Sequence, residues 1–142
     1  MDWKSEGRDW PLNELSRFCH VQPYHWHIQD TNESEKPILL LIHGTGASTH
    51  SWHHLIPLLR GSFRVIALDL PGHGFTKSKD HNRSSLNHIA NDIQSLFNLF
   101  DTNGDGKFTP IEFNNHFAEY TTRQSLGAAN DVINILDIDQ DG

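Results

Sequence analysis

The feature that most constrains the fold is an unbroken apolar run, Ile38-Leu-Leu-Leu-Ile42, followed by a loop of small residues at 43–48. Such a run is typical of a strand that is buried on both faces of a parallel sheet. A short helix is predicted over 51–59, and a second strand over 63–69 ends before the glycine-rich turn at 71–74. Strand, helix and strand in this order predict a βαβ unit with a right-handed crossover, and therefore an α/β fold.

Several segments resemble the N-terminal part of an α/β-hydrolase. They are HGTGAST (43–49), SWHHLIPLL (51–59) and FRVIALDLPGHGFTKS (63–78). Within that superfamily they are most similar to the magnesium-chelatase accessory proteins of bacteriochlorophyll synthesis, as are DWPLNELSRF (9–18) and WHIQD (26–30), which overlaps a predicted strand at 24–29. The resemblance covers about residues 8–97 and implies a partial α/β-hydrolase sheet.

The resemblance also implies a role for the loop after the apolar run. In α/β-hydrolases, one oxyanion-hole donor is a backbone N–H of this loop. Thr45 is the matching residue, and Gly44 and Gly46 would allow a ligand to approach closely; alternatively, these glycines only shape a βα turn. No G-x-S-x-G nucleophile elbow occurs in the chain. We therefore expect this chain to be catalytically incomplete, with any hydrolase activity, or any role in magnesium insertion into porphyrins, requiring further sequence.

Residues 101–112 match every fixed position of the calcium loop D-x-[DN]-x-[DN]-G-x5-E. Calcium is a hard cation that takes six to eight oxygen ligands, which a twelve-residue loop can wrap around it. Gly106 would permit the sharp turn, and Glu112 would close the site with two oxygens. The predicted ligands are Asp101, Asn103, Asp105, the backbone carbonyl of Lys107, Thr109 and Glu112. The alternative interpretation is a solvated turn rich in Asp and Asn.

A second, incomplete loop is predicted at 137–142, where Asp137, Asp139 and Asp141 could form a weak site. The starts of the two loops lie 36 residues apart, and the segment resembles the paired EF-hands of the calmodulin-like family. The expected C-terminal architecture is thus an all-α EF-hand pair with the second hand truncated, and Ca²⁺ is the expected cofactor. Because the chain stops in mid-loop, we expect it to be truncated.

Charge and composition restrict the partners. The net charge is −7, and residues 97–142 contain 8 acidic and 2 basic residues. The concentration of acidic residues in this segment favours binding of a cation, and the absence of a basic patch argues against binding of nucleic acid. A single cysteine, Cys19, no apolar stretch of membrane-spanning length and no signal-peptide pattern favour a cytoplasmic protein. The 11 histidines lack zinc-type spacing, so we expect ordinary side chains.

The predicted domains are a partial α/β-hydrolase region at 1–83 and an EF-hand region at 84–142, joined through an amphipathic helix over 84–100. Without the next strand of the hydrolase sheet, the edge at 38–42 would be bare and could recruit a protein partner or a second copy. Three interpretations stay open at this point: a calcium-binding protein on a non-catalytic scaffold, a truncated enzyme, and an artificial fusion.

Overall fold

The computed structural model describes residues 1–78, 85–107 and 109–115. Its centre is a mixed sheet in the strand order β1-β2-β4-β3, with a short β5 that also pairs with β2. Only β3 and β4 are parallel; the pairs β1–β2, β2–β4 and β2–β5 are antiparallel. The strands are β1 (Ser16–Val21), β2 (Tyr24–Asp30), β3 (Ile38–Ile42), β4 (Arg64–Leu68) and β5 (Lys77–Ser78).

The helices are mostly short. The α-helices are α1 (Trp3–Glu6), α2 (Ile56–Leu59), α3 (Leu86–Phe100) and a fourth, α4, described over 110–115. In the described ranges, 3-10 helices lie at Gly7–Asp9, Asn13–Leu15 and Thr49–Trp52. The side chain of Ser85 caps α3 by accepting a hydrogen bond from the His88 N–H, which satisfies one of the free donors of the first turn.

The predicted βαβ unit is confirmed in its strands, and its helix requires a correction. β3 has the predicted limits, and β4 is one residue shorter at each end than predicted. Over 51–59 the structure has a 3-10 turn and then α2 instead of one helix. Pro57 has no N–H to donate, and its ring would clash with the carbonyl of the residue four positions earlier in a continuous helix. A helix can therefore begin next to Pro57 but cannot run through it.

Two apolar clusters cover the two faces of the sheet. On one face, Leu96 and Phe100 of α3 and Phe113 of α4 pack on a group of strand residues that includes Trp26 and Ile66. On the other face, Ile56 of α2 packs on β4, together with several partly buried side chains of the N-terminal segment and the crossover. Alternate residues of β4 thus enter opposite clusters, as the period of a strand requires.

The predicted all-α EF-hand pair is not seen in the described residues. Of that region the structure describes α3, most of the loop at 101–112 and the start of α4, and these helices belong to the core of the sheet. The second loop, with Asp137, Asp139 and Asp141, lies outside the described residues. The predicted boundary near residue 83 falls in the segment 79–84, which is also outside them, and stays a prediction.

The strand β3 ends the described sheet, as expected if the next hydrolase strand is missing, but its residues are half-buried or exposed, so the burial on both faces predicted from the apolar run is wrong. It pairs only with β4 among the described strands, and Ile42 is 45% exposed. Within the described ranges, no helix has the length and apolar character needed to cross a membrane.

Candidate functional site

Two loops meet at one edge of the sheet. β3 and β4 are parallel, so the loop after β3 (43–49) and the turn after β4 (69–76) both leave from the carboxyl ends of their strands. This is the edge at which open α/β sheets bind ligands. The residues that the sequence predicts as an oxyanion loop therefore lie at the carboxyl ends of the parallel strands.

Two histidines connect these loops in opposite directions. Leu70 N–H donates to His43 Nε2 at 2.9 Å, and Gly46 N–H donates to His73 Nε2 at 3.1 Å. Each ring must then carry its proton on Nδ1, which lies 2.8 Å from the Gly44 carbonyl for His43 and 3.1 Å from the Pro71 carbonyl for His73. The two imidazoles therefore fix the position of the loop 43–49, the Thr45 loop, relative to β4.

The Thr45 loop is a tight turn with an outward-facing centre. Ala47 N–H donates to the Gly44 carbonyl at 3.1 Å, and Gly46 has a φ of 76°, a value that favours glycine. Thr45 is exposed, and its backbone N–H donates to no residue in the described part of the chain. An N–H in this position is available to a ligand, although its role as an oxyanion donor stays a prediction.

Asp69, at the end of β4, connects four parts of the chain. Its carboxylate accepts hydrogen bonds from Thr49 N–H at 2.7 Å and Phe75 N–H at 2.9 Å, and it lies 2.6 Å from His27 Nδ1. Burial raises the pKa of Asp69, but the bonds from His27, Thr49 and Phe75 outweigh it and leave the pKa below its ordinary value. The buried carboxylate is thus kept ionised by the donors around it.

Gly74 is required beside this carboxylate. Its φ is 50°, and a Cβ built there would lie 2.0 Å from Asp69 Oδ2. Gly74, the second glycine of the D-x-P-G-H-G segment at 69–74, is therefore explained by close approach to Asp69 as well as by its backbone conformation.

His27 extends the Asp69 network to the N-terminal strand. Its Nε2 lies 3.0 Å from Ser16 Oγ, and the imidazole is fully buried. Sequence reasoning missed this connection. The segments WHIQD and DLPGHG both attract attention, but nothing in their spacing indicates that His27 and Asp69 form a pair.

The predicted calcium loop at 101–112 contains turns at two glycines, and its calcium binding stays a prediction. Gly104 and Gly106 have φ values of 70° and 74°, and Gly106 N–H donates to Asp101 Oδ2 at 2.8 Å. Asp105 N–H donates to Asn103 Oδ1 at 2.9 Å, and Lys107 N–H donates to Asp105 Oδ1 at 2.8 Å. These contacts are equally those of the alternative interpretation, a turn rich in Asp and Asn.

Glu112, at the start of α4, is held by the loop itself. Its Oε2 accepts hydrogen bonds from the Thr109 hydroxyl at 2.7 Å and the Thr109 N–H at 3.1 Å, and the hydroxyl is the main reason that the pKa of Glu112 is lowered. Among the described residues, no three His, Cys, Asp or Glu side chains form a group that could hold a metal ion. The loop thus has oxygen donors of the right chemistry, but its carboxylates are not gathered around a centre.

Comparison with known proteins agrees with the sheet and its loops. The profile of the alpha/beta hydrolase fold family matches residues 37–111. The chain is 41% identical over 96 residues to the magnesium-chelatase 30 kDa subunit of Rhodobacter capsulatus, a match that covers 68% of this chain and 34% of that protein. It is 33% identical over 105 residues to a hydrolase of Saccharomyces cerevisiae, covering 71% of this chain and 35% of the relative.

Solved structures show the same architecture. A lipase candidate from Acinetobacter baumannii AYE has a TM-score of 0.57 and 30% identity, covering 66% of this chain and 31% of that chain. E-2-(acetamidomethylene)succinate hydrolase has a TM-score of 0.52 and 25% identity, covering 59% and 30%. The chain spans about a third of the length of these relatives, namely 34% and 35% of the two proteins matched by sequence. Because the profile match at 37–111 covers more than half of the chain, the chain belongs to the alpha/beta hydrolase fold family.

Proposed function

We propose that this chain is the N-terminal part of an α/β-hydrolase-type protein of the magnesium-chelatase accessory class, and that Thr45 N–H is a ligand-binding donor of its site. The observation that carries the proposal is the 41% identity to the Rhodobacter capsulatus subunit over 96 residues. The Thr45 N–H, which donates to no residue in the described part of the chain, supports the second part. A nucleophile elbow is absent from this sequence, so the proposal assigns binding and positioning, not covalent catalysis, to these residues.

A segment exchange tests the class. Residues 8–97 of this chain would replace the matching segment of the Rhodobacter capsulatus subunit, and magnesium-porphyrin formation would be measured by fluorescence in cells that lack that subunit. We expect the exchanged protein to restore magnesium insertion. Failure of a folded exchange protein, in cells where the parent subunit succeeds, would argue against the class.

A matched pair of substitutions in the exchange protein tests the donor. Thr45→Pro removes the N–H, and proline is favoured at this position of a turn whose next residue is a glycine of positive φ. Thr45→Ala changes the side chain and keeps the N–H. We expect loss of function with proline and retention with alanine; equal function in both would remove Thr45 N–H from the site.

We also propose that the loop 101–112 binds Ca²⁺. The proposal rests on the fixed positions of the loop sequence and is compatible with the turns at Gly104 and Gly106, which have positive φ values. Asp101, Asn103, Asp105, the Lys107 carbonyl, Thr109 and Glu112 would hold the ion. When bound, the ion would supply a fixed positive charge between α3 and α4, and Glu112 would exchange its Thr109 bonds for the ion.

A calorimetric titration with Ca²⁺ in excess Mg²⁺ tests this second function. We expect one site of about micromolar affinity or weaker, because sensor-type loops span about 10⁻⁷–10⁻⁵ M. Glu112→Gln removes an oxygen ligand and a charge and should weaken binding about tenfold or more. Lys107→Gln is the control, since position 7 contributes only its backbone carbonyl. The absence of heat from the folded parent chain, or unchanged binding in Glu112→Gln, would refute the site.

Finally, we propose that the unpaired edge of β3 forms backbone hydrogen bonds with the same edge of a second copy of the chain. The edge is apolar, it carries no charged residue over Ile38–Ile42, and it ends the described sheet. Such edges pair with other strands unless they are covered or carry charges.

A further inference from the structure

We propose that Ser16 is a reactive nucleophile, activated by His27 and positioned through Asp69, that accepts acyl groups from small uncharged esters. The site lies at the start of β1, and it uses neither the Thr45 N–H nor calcium. Three groups carry the argument: a hydroxyl, an imidazole and a carboxylate in hydrogen-bonded sequence.

The protonation of the three groups follows from their partners. Asp69 accepts from Thr49 N–H on Oδ1 and from Phe75 N–H on Oδ2, so both of its oxygens act as acceptors. His27 Nδ1, 2.6 Å from Asp69 Oδ2, must then be the donor and carry the proton of the neutral ring. The lone pair is left on Nε2, so Ser16 Oγ at 3.0 Å donates its own proton to that nitrogen. A hydroxyl in this arrangement faces a base that is oriented by a third group, which is the arrangement of an activated nucleophile.

The base is held firmly. The His27 N–H donates to Thr76 Oγ1 at 2.9 Å, and its carbonyl accepts from Asp69 N–H at 3.0 Å. The imidazole has ring centroids of Trp3, Phe18 and Phe75 at 5.3, 5.0 and 5.3 Å. These contacts restrict the ring to one orientation, so the lone pair on Nε2 stays directed at Ser16.

Ser16 differs from its two partners in exposure. The side chains of His27 and Asp69 are 0% exposed, whereas Ser16 is partly exposed as the first residue of β1. The base is therefore shielded from water, and the proposed reaction requires a reagent to reach the hydroxyl from the partly exposed side of Ser16. The rings of Trp3 and Phe18 next to His27 are apolar, which favours uncharged acyl donors with an alkyl or aryl group.

The proposed step balances as an acyl transfer. Ser16 Oγ forms a bond to the ester carbonyl carbon, and the bond from that carbon to the alkoxy or aryloxy oxygen breaks. The serine proton passes to His27 Nε2 and from there to the leaving oxygen. The acyl group remains as an ester on Ser16 until a water molecule, deprotonated by the same nitrogen, hydrolyses it.

The test treats the purified chain with p-nitrophenyl acetate and, separately, with an alkyl fluorophosphonate, followed by peptide mapping by mass spectrometry. Ser51 and Ser62 are exposed and serve as internal references within the same molecule. We expect Ser16 to react about 100-fold faster than either reference, since general-base assistance contributes about 10²–10⁴-fold. Comparable rates at Ser16 and Ser62 would overturn the proposal without any variant.

Variants then assign the roles. Ser16→Ala should abolish the fast labelling, and Ser62→Ala should leave it unchanged. His27→Gln, checked for folding by tryptophan fluorescence, should reduce the rate at Ser16 to that of Ser62. If His27→Gln does not fold, the parent chain is labelled in urea instead. We then expect Ser16 and Ser62 to react at the same rate, because unfolding separates Ser16 from His27. Fast labelling that persists in a folded His27→Gln protein, or in urea, would refute activation by the imidazole.

Discussion

At the scale of single residues, the Thr45 loop depends on one glycine far more than on its neighbour. A Cβ added to either Gly44 or Gly46 would meet no other atom within 4 Å, so space is not the difference between them. The difference is the backbone, because only Gly46 has a positive φ, at 76°. The two glycines therefore form a matched pair in which conformation alone is varied.

We expect Gly46→Ala to destabilise the protein by about 1 kcal/mol, since alanine is strained where glycine has a positive φ. Gly44→Ala should change the free energy of unfolding by less, or increase it, because it reduces the entropy of the unfolded chain. Urea unfolding of both variants measures the difference. Equal free energies of unfolding would show that the loop relaxes out of this turn.

Asp69 should make the free energy of unfolding depend on pH in the acid range. Its pKa in the folded protein lies below the ordinary value of 3.8, so the unfolded chain binds the proton more tightly. The stability that this carboxylate contributes is therefore fully present above the ordinary pKa, and it is lost as the pH falls through the lower, folded pKa. We expect Asp69→Asn to be less stable at neutral pH and to show a flatter acid limb in a series of urea titrations. Parallel acid limbs in the two proteins would contradict this role.

These residue-scale features mark the limit of sequence reasoning. The glycines and the D-x-P-G-H-G segment are visible in the sequence, and the structure gives each a position at the functional edge. The pairs His43–Leu70, His73–Gly46 and His27–Asp69 are not visible, because each joins residues 27 to 42 positions apart. Such contacts depend on the strand order, which periodicity alone does not determine.

At the scale of elements, a buried arginine attaches α4 to the sheet. Arg64, the first residue of β4, is 0% exposed and donates to both carboxylate oxygens of Asp30, at 2.9 and 2.7 Å. It also donates to Asn114 Oδ1 at 2.8 Å, and its guanidinium lies 4.6 Å from the centroid of the Phe113 ring. One side chain thus links two strands and the helix that follows the predicted calcium loop.

We expect Arg64→Met to lower the free energy of unfolding by about 3–5 kcal/mol, because it leaves the buried Asp30 carboxylate without its closest cation. Arg60→Met is the control. Arg60 is 47% exposed and lies 3.6 Å from Glu33, so its loss should cost less than about 1 kcal/mol. Chemical denaturation compares the two variants, and similar losses in both would show that Arg64 does not hold α4 in place.

The elements themselves are predictable to different degrees. The strand β3 follows from its unbroken apolar run, β4 from the mainly apolar stretch at 63–69, and α3 from its amphipathic period. Apolar spacing alone predicts too long a crossover helix, because it takes no account of Pro57. It also misses β1, whose burial does not follow a simple alternation: its residues are mostly half-buried under the N-terminal segment.

At the scale of the whole molecule, the outer edge of β3 has no partner strand in the described sheet. The Pro37 carbonyl accepts from Arg64 N–H at 3.0 Å, and backbone groups alternate in direction along a strand. The N–H and C=O groups of Ile38, Leu40 and Ile42 therefore face away from β4. A row of free groups on an apolar strand is a template for pairing, and a two-fold axis lets two identical edges pair with each other.

We therefore expect the chain to form dimers as its concentration rises in sedimentation velocity experiments. Ile42→Lys places a charge at the end of β3, where the native side chain is 45% exposed, and should keep the protein monomeric. Leu58→Lys is the control: Leu58 is 81% exposed on α2, so the change removes apolar surface without touching the edge. If the edge directs association, only Ile42→Lys abolishes it. A parent chain that stays monomeric at all concentrations, or two variants that behave alike, would show that β3 does not recruit a second copy.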